Sequence, residues 1–177
     1  MTAPQLVDFW EARLDGSADP PHVITFTRLS EVSPADIMAH MSDPRVAEHM
    51  PLLNFEWNEQ SQAAFLAAKE ECWRREGLGH WAILKNGAYV GWGGFQKEGD
   101  EWDFGLVLIP NEFGLGMRIM KLALDFARAD ERRIPYITFL LPISRTKNRW
   151  LNRLGATKVE SIDYNGAIFS KYRLETR

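Results

Sequence analysis

The stretch from Asp103 to Met117 carries the residues best suited to chemistry. It runs from an apolar β-type segment through Pro110 to the glycine pair Gly114 and Gly116, after which a helix is predicted. The N-terminus of a helix binds anions through its free backbone N–H groups and the positive end of its dipole. Because glycine has no Cβ, the backbone at this pair can approach a bulky ligand closely. The stretch therefore predicts a cradle for a phosphate or pyrophosphate group.

Other common nucleotide sites do not fit this glycine pair. The chain has no Gly-x-x-x-x-Gly-Lys-Ser/Thr sequence, which excludes a P-loop. Ile119 occupies the third glycine position of the dinucleotide fingerprint, which excludes that site as well. A Gly-x-Gly pair also occurs in many ordinary turns, and here its position between a strand and an amphipathic helix favours a ligand.

Metal and nucleophile chemistry have little support in the sequence. The four histidines, His22, His40, His49 and His80, are scattered, and no pair has the spacing of a metal-binding helix. Cys72 is the one cysteine, and it falls on the apolar face of a predicted helix, which favours a structural role. We therefore expect no metal site.

Residues 131–153 contain six basic side chains and one acidic side chain. Two interpretations remain open for this segment. It either forms a solvated helix face, or it supplies a second contact to the phosphate groups of the ligand that the glycine pair predicts.

Composition limits the class of protein. The chain has 177 residues, enough for one domain with a core, and its formal net charge of −3 argues against a nucleic-acid binder. No apolar run approaches the ~20 residues of a membrane helix, and the N-terminus lacks the features of a signal peptide. We expect a cytoplasmic protein with an N-terminal helix and linker over 1–21 and one domain over 22–177.

The predicted elements alternate between strands and helices. Periodicity and turn residues predict strands near 22–29, 80–85, 88–95, 100–109, 136–141, 156–162 and 167–174, and helices near 5–14, 34–41, 59–76, 115–129 and 144–154. Asn86-Gly87 between two β-type runs is a strong hairpin signal. A strand, the glycine turn, a helix and a buried strand follow one another over 103–141, which predicts one parallel pair. The fold class is mixed α/β.

Several short motifs, in this order and spacing, resemble one family. They are Ile24–Leu29, Met50-Pro51 ahead of a loop with Trp57, Gly79–Ile83, Val90–Phe95, Asp103–Leu108, Asn111–Gly116 and Leu154–Ala156. Over about 22–175 the chain resembles the GNAT family of N-acetyltransferases, in particular its branch of ribosomal-protein N-terminal acetyltransferases. The resemblance implies a central twisted sheet of about seven strands, largely antiparallel with one parallel pair and flanked by helices.

The resemblance also implies acetyl-CoA as co-substrate and a set of residues that bind it. The backbone over 112–117 would hold the pyrophosphate, and the strand over 106–108 would pair with the pantetheine. The implied residues are Leu106, Val107, Leu108, Asn111, Glu112, Phe113, Gly114, Leu115, Gly116, Met117, Ser144 and Lys147. The chain departs from the family where Asn111 replaces Gln or Arg, where Ser144 and Lys147 replace Asn and Ser, and where no tyrosine lies on the last helix.

The implied reaction is direct attack of an amine on the thioester. Asp103 takes a strand position where many relatives have a glutamate that handles the proton, so it is the candidate base. Phe55, Trp57, Trp81 and Trp92 could line the acceptor pocket or belong to the core. An inactive acyl-CoA-binding module and a transferase for another acyl group remain alternatives. The expected partners are a CoA thioester and an amine, bound to a monomer or homodimer.

Overall fold

The computed structural model describes residues 12–13, 22–52, 56–143, 145 and 149–177. The strands are β1 (Ala12–Arg13), β2 (Val23–Arg28), β3 (His80–Lys85), β4 (Ala88–Glu98), β5 (Glu101–Leu108), β6 (Tyr136–Pro142), β7 (Thr157–Tyr164) and β8 (Ala167–Glu175). The helices are α1 (Pro34–Met41), α2 (Pro44–Ala47), α3 (Glu59–Glu76), α4 (Gly116–Ala129) and α5 (Arg149–Leu154), with 3₁₀ turns at Leu29–Glu31 and Pro110–Leu115. None of the helices within these ranges is long and apolar enough to cross a membrane.

The described strands form one sheet in the order β1-β2-β3-β4-β5-β6-β8-β7. All neighbours are antiparallel except β5 and β6, which are parallel. This arrangement confirms the predicted mixed α/β fold with seven main strands and one parallel pair.

The N-terminal prediction was wrong where it can be compared. Ala12 and Arg13 are extended and pair with Ile24 and Val23, whereas the sequence predicted a helix over 5–14. Pairing with the open edge of β2 satisfies backbone groups that an isolated amphipathic turn would leave to water. The other residues of 1–21 lie outside the described part of the chain.

Local signals in the sequence account for several element boundaries. Asn86 and Gly87 have φ of 51° and 82°, as the tight turn between β3 and β4 requires. The Asn58 side chain accepts a hydrogen bond from the Ser61 amide at the start of α3, and Gly77 ends that helix with φ of 67°. The hairpin and the bounds of α3 are therefore as predicted.

The sheet separates two apolar layers. Alternation along β5 turns Phe104 and Leu106 toward α4, where they join a core centred on the fully buried Phe95. Val107 lies on the opposite side, in a layer formed with α1 and residues of α3. We call these sides the α4 face and the α3 face. Asp103 shares the α3 face with Val107, because the two are four residues apart in β5.

Candidate active site

The parallel strands β5 and β6 diverge along their length. The register pairs Asp103 with Thr138, and the residues that follow in each strand line a cavity of about 440 Å³ instead of pairing. The stretches concerned are 104–107 in β5 and 139–142 in β6. The cavity therefore begins one residue beyond the pair of Asp103 and Thr138.

The cavity has walls on both faces of the sheet. On the α4 face they include Phe104, Met120, Phe139 and Trp150, and on the α3 face they include His80, Trp92, Gly105 and Val107. Because side chains from both faces of β5 reach it, the gap between the strands passes through the sheet. Two ligands could meet in this gap from opposite sides.

Gly116 of the glycine pair lines the cavity at the start of α4, and Gly114 is exposed two residues before it. Pro110–Leu115 forms a 3₁₀ turn that leads directly into α4, so the helix begins at Gly116 rather than at the predicted Leu115. Neither Gly114 nor Gly116 has a positive φ, and a Cβ added at either would meet no atom within 4 Å. The backbone does not need glycine here. The two positions instead keep open the space that a ligand would take.

An ion pair fixes the 3₁₀ turn to the sheet. The ammonium of Lys85, at the end of β3, lies 3.0 Å from the carboxylate of Glu112, and both side chains are 22% exposed. Because the two side chains are largely withdrawn from water, this pair is screened less than an exposed one. It holds the turn beside the cavity.

The Asp103 carboxylate is half-buried and accepts a hydrogen bond of 3.0 Å from the Thr138 hydroxyl. The pKa of Asp103 is raised to about 6, chiefly by burial; the Thr138 hydrogen bond and Lys171 act to lower this pKa, and the neighbouring Glu98 and Glu101 act to raise it. Glu101, on the same face, is instead bound by Lys171 and by the Tyr136 hydroxyl. Because its pKa lies close to neutral pH, the Asp103 carboxylate could take up a proton.

Lys69 of α3 is a residue that the sequence did not indicate. Its ammonium donates to Gln96 Oε1 at 2.9 Å and lies 5.1 Å from the ring centroid of Trp92. Burial lowers the pKa of Lys69 to about 8. Gln96 is the β4 partner of Asp103, so this cation belongs to the same corner of the α3 face. Only the packing of α3 on the sheet brings these residues together.

The sequence matches the family profile of the acetyltransferase (GNAT) domain over residues 25–157. The chain belongs to the GNAT family. It is thus an acyltransferase by family. No curated protein matches the sequence.

Solved GNAT structures share this fold. An acetyltransferase from Agrobacterium tumefaciens superposes with a TM-score of 0.67 at 17% identity, covering 92% of this chain and 98% of the other. Spermidine N-acetyltransferase from Vibrio cholerae, in complex with CoA and spermine, superposes with a TM-score of 0.67 at 10% identity, covering 86% of this chain and 95% of the other. The ribosomal-protein-S18-alanine N-acetyltransferase from Escherichia coli superposes with a TM-score of 0.60 at 13% identity, covering 88% of this chain and 94% of the other. At these identities the likeness concerns the fold.

The CoA-binding residues implied by the GNAT resemblance fall into three groups. Leu106, Val107, Phe113, Gly116 and Met117 line the cavity. Leu108 and Leu115 are core residues packed with Ile119, Asn111 and Gly114 are exposed, and Glu112 is held by Lys85. Ser144 and Lys147 lie outside the described residues. Arg145, between them in sequence, lines the cavity.

The four aromatic candidates for the acceptor pocket are separated by the fold. Trp92 lines the cavity, and Trp57 reaches it indirectly through Phe65, with ring centroids 5.4 Å and 5.0 Å apart along the row. Trp81 points to the α4 face, where it packs against Trp73 and the α4 aromatic Phe126 in the core. Phe55 lies outside the described residues. The structure therefore places Trp81 away from the cavity walls.

Trp81→Ala is expected to lower the free energy of unfolding by about 3–5 kcal/mol, because it removes a large side chain from a packed core. Chemical denaturation measures this loss. Trp92→Phe is the matched variant, since Trp92 is equally buried but lines the cavity. A Trp81 variant of normal stability with weakened ligand binding would contradict the core assignment.

Proposed function

We propose that this GNAT protein transfers an acetyl group from acetyl-CoA to a primary amine, on a protein N-terminus or a small molecule. The observation that carries the proposal is the gap between β5 and β6, which is lined by residues from both faces of the sheet and begins one residue beyond Asp103. The thioester would enter from the α4 face and the amine from the α3 face.

Two features of the cavity suit a CoA thioester. The vacant space over Gly114 and Gly116 would admit the pyrophosphate beside the start of α4. Phe113 and Met117, which line the cavity, are 45% and 46% exposed, and exposed apolar side chains at a groove suit an apolar ligand. They would cover the pantetheine, whose amides would pair with the open edge of β5 over residues 106–108.

The reaction follows from what a thioester and an amine require. An ammonium acceptor loses one proton to the Asp103 carboxylate, directly or through a water molecule. The amine nitrogen then forms a bond to the carbonyl carbon, the carbon–sulfur bond breaks, and the second amine proton ends on the thiolate of CoA. The products are the amide and free CoA, and Asp103 returns its proton to solvent.

The α3 face supports an amine acceptor in a partly apolar site. Trp92 would offer a ring face, and Asp103 a negative charge for an approaching ammonium. The names of two fold neighbours also specify amines, spermidine in one and the alanine of a ribosomal protein in the other.

Calorimetry with CoA, acetyl-CoA and longer acyl-CoA thioesters, followed by an amine screen that detects free thiol, tests the proposal. We expect affinity for CoA and acetyl-CoA and release of thiol with at least one amine. Absence of CoA affinity at millimolar concentration would overturn the proposal. Binding without turnover on polyamines, aromatic amines and N-terminal peptides would favour an inactive acyl-CoA-binding module.

Arg145→Ala is expected to weaken the binding of CoA by about 1–3 kcal/mol, the size of a hydrogen bond to a charged group. Arg145 lines the cavity, and no ion pair joins it to a carboxylate among the described residues. Titration with dephospho-CoA locates the contact. A smaller loss for dephospho-CoA assigns Arg145 to the 3′-phosphate, and equal losses would exclude that contact. Arg132→Ala is the control, because Arg132 is held by Asp130.

A further inference from the structure

His80 has an unusual position at the start of β3. It pairs across the sheet with Gly94 of β4, and Gly94 pairs with Gly105 of β5. Two glycines in one row leave the α3 face without side chains beside His80. The imidazole lies in this space and reaches β5, where Nε2 is 3.6 Å from the position that a Cβ on Gly105 would take.

The imidazole is enclosed except toward the cavity. His80 is 6% exposed, its ring centroid lies 5.3 Å from that of Trp92, and it forms part of the cavity wall. The backbone is held as well, because Trp73 Nε1 donates to the His80 carbonyl at 2.8 Å. Gly105 lines the cavity and is two residues from Asp103 on the same face of β5, so Nε2 lies on the α3 face of the gap, beside the strand that carries Asp103.

The two ring nitrogens differ in their surroundings. Nδ1 is buried and has no hydrogen-bond partner within the described part of the chain, whereas Nε2 lies beside Gly105, which lines the cavity. Burial lowers the pKa of His80, and the positive charge of Lys69 lowers it further, so the ring is neutral at pH 7. A neutral imidazole carries one N–H. A proton on Nδ1 would be a buried donor without an acceptor, whereas a proton on Nε2 faces the cavity.

We infer that His80 is a catalytic residue of the proposed transfer: its Nε2–H donates a hydrogen bond to the carbonyl oxygen of the acyl group. This inference rests on the proposed function. As the amine attacks, negative charge grows on that oxygen, and a fixed donor in a site shielded from water stabilises it. The two residues then have separate roles: Asp103 accepts the proton of the amine, and His80 donates a hydrogen bond to the carbonyl oxygen.

The tautomer can be measured without any acceptor amine. Long-range ¹H–¹⁵N spectra of protein labelled with ¹⁵N-histidine distinguish the neutral Nε2–H form from the Nδ1–H form, and the loss of one signal in His80→Gln assigns the residue. We expect the Nε2–H form. We also expect the Nε2–H proton to shift on addition of acetyl-CoA and to shift much less with S-ethyl-CoA, a thioether that lacks the carbonyl oxygen.

Other results of this experiment have separate meanings. An Nδ1–H tautomer, or equal shifts with the two ligands, would overturn the role of His80. Failure of both ligands to bind would overturn the proposed function instead, because the tautomer is measured on the protein alone.

Two isosteric variants test the donor in turnover. The side-chain nitrogen of glutamine reaches the position of Nε2, whereas that of asparagine reaches the position of Nδ1. We expect His80→Asn to lower kcat by about 10²–10³-fold, the loss typical of one oxyanion donor, and His80→Gln to lower it by much less. Thermal unfolding and CoA affinity confirm that both variants are folded. Equal loss of rate in the two folded variants would overturn the inference.

Discussion

Asp103→Asn is expected to lower kcat by about 10²–10⁴-fold, the usual contribution of a positioned general base, and to leave CoA affinity nearly unchanged. The asparagine is isosteric and keeps an oxygen that can accept from Thr138, so the contact between β5 and β6 at this position is retained. Steady-state kinetics with a true acceptor, together with CoA calorimetry, measure the two effects separately.

The pH profile provides a second readout of the same substitution. The pKa of Asp103 is raised to about 6, so the carboxylate form that accepts a proton gains population as pH rises through that value. Activity of the wild-type protein should rise over this interval, and Asp103→Asn should remove the rise.

Stability should change in the opposite direction from activity. The folded pKa of Asp103 lies above its unfolded value, so the folded state binds more protons between about 4 and 6 and loses stability as pH rises through that window. At pH 8 the buried charge is fully present, and the substitution removes it. We expect Asp103→Asn to raise the free energy of unfolding there by about 1–3 kcal/mol, which corresponds to about two pKa units at most.

Glu101→Gln is the control for Asp103. Glu101 lies two residues earlier on the same face, but Lys171 and Tyr136 bind it. Turnover should change little in this variant. Wild-type turnover in Asp103→Asn would show that another residue is the base, or that the amine arrives already deprotonated.

Gly116→Val is expected to reduce CoA affinity by about 10–100-fold, because the new side chain fills the open space beside the start of α4 and overpacking costs about 1–3 kcal/mol. The fold should be retained. Gly116 has helical angles, φ −51° and ψ −46°, and valine is at least as favourable as glycine in a helix. Calorimetry gives the affinity, and thermal unfolding gives the stability.

A graded series strengthens this test. Gly116→Ala should weaken the binding of CoA less than Gly116→Val does. Gly114→Val should also weaken the binding of CoA. Ala64→Val, at an exposed position of α3, controls for a β-branched residue in a helix. Normal CoA affinity in Gly116→Val would show that the ligand does not occupy this space.

The elements were predictable because their signals are local. The cap at Asn58, the stop at Gly77 and the turn at Asn86-Gly87 each act within a few residues, and the structure places α3 and the hairpin as expected. The glycine pair was found for the same reason.

The site was only partly predictable because it depends on which face of the sheet each residue takes and on packing between distant elements. His80 and Trp81 are neighbours in sequence, but alternation sends one to the cavity and the other to the core. The sequence predicted the aromatic residue as a ligand contact and gave the histidine no role. Lys69 reaches the corner of Asp103 only through the packing of α3 on β4.

The gap that passes through the sheet has a kinetic meaning. Under the proposed function, separate entrances would allow both substrates to be present at once, so neither would have to leave before the other binds and no covalent acyl-enzyme would be required. The acceptor product would depart from the α3 side while CoA still occupied the α4 side. Free CoA would then compete with acetyl-CoA for its entrance, without excluding the amine from the other.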